Sequence, residues 1–250
     1  VIKKRGDINV SRRNFVDLCH ILTAADEQVF EDLWRQLGLS VDWSMTYATI
    51  DERCQRIAQK AFLRNLERGE AYQTEAPSLW DVTFRTAVAQ AELEDREQPS
   101  AYHQLKFHSS TDHGEVIIDT TRPELLPACV ALVTHPDDVR YQSLLGTTVT
   151  TPIFDVEVPV LGHELADPDK GTGIAMVCTF GDTTDVTWWR ELDLPVRAII
   201  DRSGRITSSP PDVISSPRGL EAFKMMSGKT IFSAKKEIVQ LLQDAGEMVG

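Results

Sequence analysis

The amino-acid sequence predicts an α+β fold in which a helical N-terminal part precedes a β-rich remainder. Apolar residues recur at three- and four-residue steps through 8–68, which is typical of amphipathic helices. From Tyr102 onward, short β-like runs alternate with turns rich in Gly, Pro and Asp. The polar stretch 95–100 between the two parts predicts a linker. The expected domains are a largely helical stem at 1–100, a β-rich domain at 101–228 and a C-terminal helix at 229–250 that returns to the stem.

Two helices are predicted in the N-terminal part. The first has apolar residues at helical spacing over 15–37, candidate caps at Ser11 and Thr23 and a stop at Gly38. The second begins near 49–51, keeps its apolar residues on one face and ends at Gly69. Both segments are therefore expected to be amphipathic helices of the stem.

Short strands are predicted after these helices. The stretch 86–94 alternates apolar and polar residues and predicts a strand despite its alanines. Two helices interrupt the later strands, one at 182–192 and one at 229–245 that closes at Gly246. The strands predicted after the linker are 102–107, 115–119, 130–133, 156–161, 174–177 and 196–200.

Composition limits the class of protein. No apolar run approaches the length of about 18 residues that a membrane span needs. The net charge is −12, so if nucleic acid is a partner, most phosphate contacts must come from sequence outside this chain. The N-terminus has basic residues without a following apolar run, so we expect no signal peptide and a cut through a longer protein. Four scattered cysteines predict reduced, packed thiols in a cytosolic protein.

The segment 120–124, Thr-Thr-Arg-Pro-Glu, directly follows a predicted strand. Pro123 suits the first position of a helical turn. Arg122 could form an ion pair with a phosphate or with a substrate carboxylate. On these residues alone, the more common arrangement is a salt bridge from Arg122 to a neighbouring acid, with the threonines capping the turn. Both interpretations remain open at this point.

Two further patterns could form a site. Gly171 and Gly173 flank Thr172, and glycines let the backbone approach a ligand closely, although the third glycine of a dinucleotide fingerprint is absent. Asp182 and Asp185 lie three residues apart at a predicted helix start, where acids also favour the helix dipole. Capping explains one of the two easily. As a pair they could instead bind an ammonium group and orient a water molecule.

Metal and nucleotide sites are not expected. His103, His108 and His113 are each five residues apart and no cysteine joins them, which is not the spacing of a zinc site. The segment 224–229 has a lysine near each end but no preceding strand or glycine-rich loop, so it predicts a helix connection. Cys178 has no partner base nearby in the sequence, which argues against a nucleophilic cysteine.

Taken in order, these patterns resemble the large connective insertion of the class I aminoacyl-tRNA synthetases for branched aliphatic amino acids. The resemblance covers nearly the whole chain and is strongest to the valine-specific (valyl) branch. It implies a β-rich, barrel-like editing domain flanked by a helical stem that abuts the catalytic domain. The residues that carry the resemblance are 37–44, Ala71, Tyr72, Pro77, Trp80, 86–94, 121–124, 171–173, Asp182 and Asp185.

The resemblance implies proofreading. A pocket that selects valine rejects the isosteric threonine only weakly, so a second site hydrolyses the wrong ester at the 3′ end of tRNA(Val). The partners implied are that tRNA end, carrying a wrong amino acid, and the remainder of the synthetase, in the cytoplasm and without a membrane. Two alternatives stay open: an isoleucyl-type editing domain, for which the rejected amino acid is valine, and a non-catalytic tRNA-positioning module.

The resemblance also implies roles for individual residues. Arg122 matches an arginine near the terminal adenosine, and Asp185 matches the aspartate that holds the α-ammonium group of the substrate. Asp182 matches a second acid that, with backbone groups near Gly173 and the terminal ribose, places the attacking water. Asp182 and Asp185 are the expected catalytic residues. The expected substrate-binding residues are Thr120, Thr121, Arg122, Glu124, Gly171, Thr172, Gly173, Met176 and Cys178.

The sequence departs from the family pattern at several positions. Leu125 and Cys178 stand where the family often has threonine, and Met176 stands where it commonly has lysine. A zinc-binding Trp-Cys-Pro-x-Cys segment is replaced by residues 80–84, Trp-Asp-Val-Thr-Phe, so no zinc is expected. The ATP-binding motifs of the family are absent. We therefore expect no cofactor in this fragment, with ATP and Mg²⁺ needed only by the missing catalytic domain.

Overall fold

The computed structural model describes residues 10–74, 76–94, 99–109 and 114–249. The chain divides into two compact units, Val1–Thr74 and Glu75–Gly250. This division lies earlier than the expected boundary at residue 100. One reason is a hairpin after Thr74 whose Trp80 Nε1 donates a hydrogen bond of 2.9 Å to the Arg202 carbonyl of the second unit. The predicted linker at 95–100 lies mostly outside the described residues.

The first unit contains the two predicted helices, α1 (Arg12–Gln36) and α2 (Glu52–Glu67), with a short 3₁₀ turn at Trp43–Met45. The Ser11 hydroxyl accepts a hydrogen bond of 3.2 Å from the Asn14 N–H, which confirms this candidate cap. Thr23 is not a cap, because it lies inside α1 and its hydroxyl donates to the Cys19 carbonyl at 3.0 Å. Within the part of the chain that the structure describes, neither helix has a buried residue. Their apolar faces are thus exposed within this unit.

The second unit begins with a small hairpin and continues as a six-stranded sheet. The sheet order is β4-β3-β6-β7-β5-β8, and neighbours are antiparallel except β5 and β7. The two terminal strands, β4 and β8, also lie next to each other, so the sheet is a nearly closed barrel. The strands are β1 (Leu79–Asp81), β2 (Thr86–Val88), β3 (His103–Ser109), β4 (Glu115–Thr120), β5 (Ala131–Thr134), β6 (Thr148–Thr150), β7 (Glu157–Gly162) and β8 (Ile174–Val177). The predicted α+β, β-rich fold is confirmed.

Alternate residues of the strands point into the barrel and form its core. Leu105 and Phe107 of β3 and Ile118 of β4 are fully buried there. Each such side chain contributes about 1.5–3 kcal/mol of hydrophobic stabilisation. The helices of this unit are α3 (Thr183–Glu191), α4 (Pro217–Met226) and α5 (Ile231–Asp244).

The C-terminal helix α5 belongs to the barrel unit. Ala234, Ile238 and Leu242 recur on one face of α5 and are fully buried in the barrel core. Its apolar face is therefore occupied within the second unit. The expected return of 229–250 to the helical stem stays a prediction.

Most predicted elements of the second unit are present, with two differences. The predicted strand at 196–200 forms only an isolated bridge between Ile200 and Ile206. The predicted strand at 86–94 stops at Val88 and is followed by a 3₁₀ turn at Gln90–Glu92. The segment 196–200 keeps Ile199 buried in the core, whereas most of 86–94 is exposed, where few apolar contacts extend a strand.

Candidate functional site

A cavity of about 470 Å³ opens between the end of β4 and the segment that contains β8 and the start of α3. The sequence-predicted residues that line it are Thr120, Thr121, Arg122, Gly171, Gly173, Met176, Cys178, Asp182 and Asp185. Glu124 and Thr172, which do not line the cavity, contact its walls. The structure thus brings together segments that lie some 50 residues apart in the chain. The catalytic roles of these residues remain predictions.

The end of β4 positions Arg122. The Thr120 hydroxyl accepts a hydrogen bond of 3.1 Å from the Arg122 N–H, and Pro123 starts a buried 3₁₀ turn. The Arg122 Nε donates to Glu124 Oε1 at 3.2 Å, and its Nη1 donates to the Gly181 carbonyl at 2.8 Å. The salt-bridge interpretation of Arg122 is therefore present. A guanidinium has five N–H donors, so donors remain for a ligand in the cavity.

The glycine-containing loop forms the opposite wall. Gly171 and Gly173 have φ of 59° and 82°, a left-handed region that favours glycine. A Cβ on Gly173 would collide with Nη2 of Arg140 and would lie 2.8 Å from the Pro168 carbonyl oxygen. The Tyr141 hydroxyl donates a hydrogen bond of 2.7 Å to the Thr172 carbonyl. The loop is thus held close to its neighbours, with no room for a side chain at Gly173.

The two aspartates at the start of α3 have different environments. Asp182 caps the helix, because its Oδ1 accepts a hydrogen bond of 2.8 Å from the Asp185 N–H. Asp185 is buried, and its Oδ2 accepts hydrogen bonds from the N–H groups of Gly181 at 3.1 Å and Cys178 at 3.3 Å. Capping therefore accounts for Asp182, whereas Asp185 is a buried carboxylate in the cavity wall.

Burial raises the pKa of Asp185 from 3.8 to about 6, and the negative charge of Asp182 adds to the increase. The hydrogen bonds from Cys178 and Gly181 and the charge of Arg122 lower the pKa and partly oppose this. A carboxyl group with a strongly shifted pKa in a cavity is typical of a functional site. A bound cation would stabilise its ionised form.

Comparison with known proteins identifies the family. The family described as tRNA synthetases class I (I, L, M and V) matches residues 2–240. The chain belongs to the class I tRNA synthetases.

Curated relatives of this class I synthetase chain are valine–tRNA ligases. The ligase of Leifsonia xyli subsp. xyli is 67% identical over 241 residues, which cover 96% of this chain and 28% of the relative. The ligase of Thermobifida fusca is 63% identical over 247 residues, which cover 98% of this chain and 28% of the relative. The chain thus spans about 28% of the length of these relatives. The resemblance to the valine-specific branch is confirmed.

Among solved structures, a ternary complex of Agrobacterium radiobacter K84 agnB2 LeuRS with tRNA and LeuAMS is similar to this class I synthetase chain. The similarity covers 87% of this chain and 34% of that one, at 17% sequence identity and a TM-score of 0.42. A similarity of that size supports no conclusion about function.

Cys178 of this synthetase chain lies in the cavity wall as a neutral thiol. Burial raises its pKa well above the ordinary value, and the adjacent Cys129 thiol adds to the increase. A cysteine must lose its proton to act as a nucleophile. This environment supports the interpretation that Cys178 is not the nucleophile.

Sequence reasoning missed several residues of the cavity. Tyr102, Asp119 and Trp188 line it, although none was predicted for the site. Two local signals could have found them: Asp119 directly precedes the Thr-Thr-Arg segment, and Trp188 follows Asp185 by three residues on a helix. Arg140, which crowds Gly173, lies more than 30 residues from that loop and left no local signal.

No metal site is built from the described residues. Within the ranges given above, no group of three or more His, Cys, Asp or Glu side chains could hold a metal ion. His108 lies 2.7 Å from a Glu247 oxygen, His103 is in β3, and His113 lies outside the described residues. The absence of zinc stays a prediction. None of the described helices is long and apolar enough to cross a membrane.

Proposed function

We propose that this chain is the editing region of a valine–tRNA ligase, which hydrolyses the ester between threonine and the 3′ end of tRNA(Val). The observation that carries the proposal is the buried Asp185 carboxylate, which shares one cavity with the Arg122 guanidinium. A carboxylate of that kind matches an α-ammonium group, and a guanidinium matches a phosphate-bearing nucleotide. An aminoacylated tRNA end carries both groups.

In the proposed reaction, a water molecule attacks the carbonyl carbon of the ester. The bond from that carbon to the ribose oxygen breaks, the ribose oxygen takes a proton, and threonine leaves. Asp185 holds the ammonium group and so fixes the ester in the cavity. One oxygen of Asp182 caps α3, and the other is the acceptor that we assign to the water. Backbone groups near Gly173 and the terminal ribose also hold this water molecule in place.

The partners of the proposed reaction are the mischarged tRNA end and the remainder of the ligase, in the cytoplasm. The chain has a net charge of −12, so most phosphate contacts should come from other parts of the ligase. Hydrolysis by water needs no cofactor, and ATP and Mg²⁺ are assigned to the catalytic domain. The names of the relatives support a valine-specific rather than an isoleucine-specific ligase.

The substrate of the reaction can be tested directly. A full-length valine–tRNA ligase carrying this sequence is expected to hydrolyse threonyl-tRNA(Val) faster than valyl-tRNA(Val), because the site removes the wrong amino acid and spares the cognate one. Release of labelled amino acid from the two tRNAs measures both rates. Rates equal to those without enzyme for both substrates would favour the tRNA-positioning module. Preferential hydrolysis of valyl-tRNA(Ile) would favour isoleucyl-type editing.

The rate should depend on pH through Asp185. Only the ionised carboxylate binds an ammonium group, and the pKa of Asp185 is raised to about 6. We expect kcat/KM for threonyl-tRNA(Val) to rise with pH through about 6 and to be about tenfold lower at pH 5 than at its plateau. Deacylation across pH 4.5–8 measures the profile. The Asp185→Asn variant serves as the control, and a step near pH 6 that persists in it would contradict the assignment.

A further inference from the structure

The peptide unit that joins Thr121 to Arg122 is held at both of its polar groups. Its N–H, which belongs to Arg122, donates to the Thr120 hydroxyl at 3.1 Å. Its carbonyl, which belongs to Thr121, accepts a hydrogen bond of 2.7 Å from Nζ of Lys235. A peptide unit is planar, so bonds to its N–H and its carbonyl fix the orientation of the whole unit. The direction in which the Arg122 side chain leaves the backbone therefore depends on these two contacts.

Lys235 reaches this turn from the C-terminal helix α5, 114 residues further along the chain. Ala234 and Ile238 of the same helix are fully buried in the barrel core, which fixes α5 against the barrel. The helix also packs against the 3₁₀ turn at Pro123–Ala128, which directly follows Arg122. The half-buried Lys235 side chain therefore extends from a rigid element toward the turn.

The charge of Lys235 acts at the end of β4. Burial lowers the pKa of His103, the positive charge of Lys235 adds to the decrease, and the negative charge of Glu124 partly opposes it. His103 pairs with Thr120 across β3 and β4. Lys235 thus lies beside the point where the chain leaves β4 for Arg122. A hydrogen bond from an ammonium group is roughly twice as strong as one from a neutral donor.

The contacts of the Arg122 guanidinium do not replace the bond from Lys235. Glu124 and the Gly181 carbonyl hold the far end of the Arg122 side chain, whereas Lys235 holds the backbone from which that side chain starts. Without Lys235, the Thr121 carbonyl must find another donor. A rotation of its peptide unit toward that donor changes the direction of the Arg122 side chain.

We propose that Lys235 is a positioning residue, which holds Arg122 in place for the terminal nucleotide of the tRNA through its bond to the Thr121 carbonyl. This inference rests on the proposed editing function, in which Arg122 binds that nucleotide. Lys235 lies outside the set of described residues that line the cavity, so it acts through Arg122. The nucleotide is bound alike before and during hydrolysis, so the loss of Lys235 raises KM and leaves kcat unchanged.

The test replaces Lys235 in the full-length ligase and measures steady-state hydrolysis of threonyl-tRNA(Val). Lys235→Met removes the donor and keeps an unbranched side chain. We expect KM to rise about 3- to 10-fold and kcat to stay within about twofold of the wild-type value. Lys235→Arg, which keeps a charged donor, should restore KM. A variant that is only destabilised has a smaller folded fraction, which lowers the apparent kcat and leaves KM unchanged.

Lys236→Met is the matched control, because it removes the same charge from the next residue of α5. The Lys236 ammonium lies over the Phe232 ring at 4.5 Å, so this variant should leave KM unchanged. In an Arg122→Gln background, Lys235→Met should raise KM no further, because its effect passes through Arg122.

Three results would overturn the role of Lys235. They are an unchanged KM in Lys235→Met, an equal rise of KM in Lys236→Met, and a full further rise of KM when Lys235→Met is added to Arg122→Gln. If the wild-type enzyme does not hydrolyse threonyl-tRNA(Val), the proposed function itself fails.

Discussion

Replacing Asp185 with asparagine is expected to slow hydrolysis of threonyl-tRNA(Val) by about 10- to 100-fold. The charge-assisted contact between a carboxylate and an ammonium group contributes about 1.5–3 kcal/mol, and about 1.4 kcal/mol corresponds to a tenfold change. Asparagine keeps an oxygen that can accept the hydrogen bonds from Gly181 and Cys178, so the local backbone should stay in place. Asp185→Ala should lose at least as much activity.

The same variant should not lower stability at neutral pH. The pKa of Asp185 rises from 3.8 to about 6 on folding, so the folded state holds this proton more tightly than the unfolded state. Stability from this group is greatest below pH 3.8 and is lost as the pH rises through 6, a loss on the order of 3 kcal/mol. Asp185→Asn removes that cost, so the melting temperature at pH 7.5 should be equal or higher.

Thermal melting and hydrolysis measured on the same samples separate the two roles of this region. Asp182→Ala is the comparison for capping, because Asp182 is the N-cap of α3 and its loss costs about 0.5–2 kcal/mol of stability. An Asp185→Asn enzyme that melts at a lower temperature but hydrolyses threonyl-tRNA(Val) at the normal rate would show that Asp185 is structural. Asp185 would then be abandoned as a site residue.

Gly173→Ala should damage both the fold and the reaction. A left-handed backbone costs a residue with a Cβ about 1–2 kcal/mol, and the new methyl group would collide with Arg140 and with the Pro168 carbonyl. Overpacking of that kind costs a further 1–3 kcal/mol or so. Because the loop must shift to relieve the collision, the ester is misplaced, and hydrolysis should fall by about 100-fold.

Gly146→Ala is the matched control for this change. Gly146 has a φ of 78°, close to that of Gly173, but a Cβ there meets no atom within 4 Å. Gly146→Ala should lower the free energy of unfolding by only about 1–2 kcal/mol, the cost of the left-handed backbone. It should hydrolyse threonyl-tRNA(Val) at the normal rate. Chemical denaturation and deacylation measure both effects. Equal activity in the two variants would mean that the position of the Gly173 loop does not matter to the reaction.

The sequence predicted those elements of the fold that have strong local patterns. Short apolar runs between turns predicted β4, β5, β7 and β8, and helical periodicity predicted α1, α2 and α5. Strand β6 was missed because Thr148–Thr150 contains one apolar residue and is fixed by pairing with distant strands. Helix α4 was also missed, although Ser216 followed by Pro217 is a start signal.

The candidate site was also predicted only in part, because only some of its residues belong to strong local patterns. Arg122, Asp185 and the glycines belong to contiguous motifs, so the sequence could suggest them. The wall that holds the glycine loop comes from Arg140 and Tyr141, which follow β5 and meet the loop just before β8, the strand that pairs with β5. Patterns in a single sequence carry no information on contacts between residues that lie far apart in the chain. Likewise, Glu124 could be named from its motif, but its role as a buried partner of Arg122 appears only in the folded chain.

In the proposed reaction, the two hydrogen bonds of Arg122 also affect the entropy of substrate binding. Its side chain is fixed to Glu124 and to the Gly181 carbonyl before any ligand arrives. An arginine free in solvent would lose about 0.5–1.5 kcal/mol of rotamer entropy when a ligand immobilised it. Here that loss has already occurred during folding. The ordering cost of the encounter therefore falls mainly on the flexible single-stranded end of the tRNA.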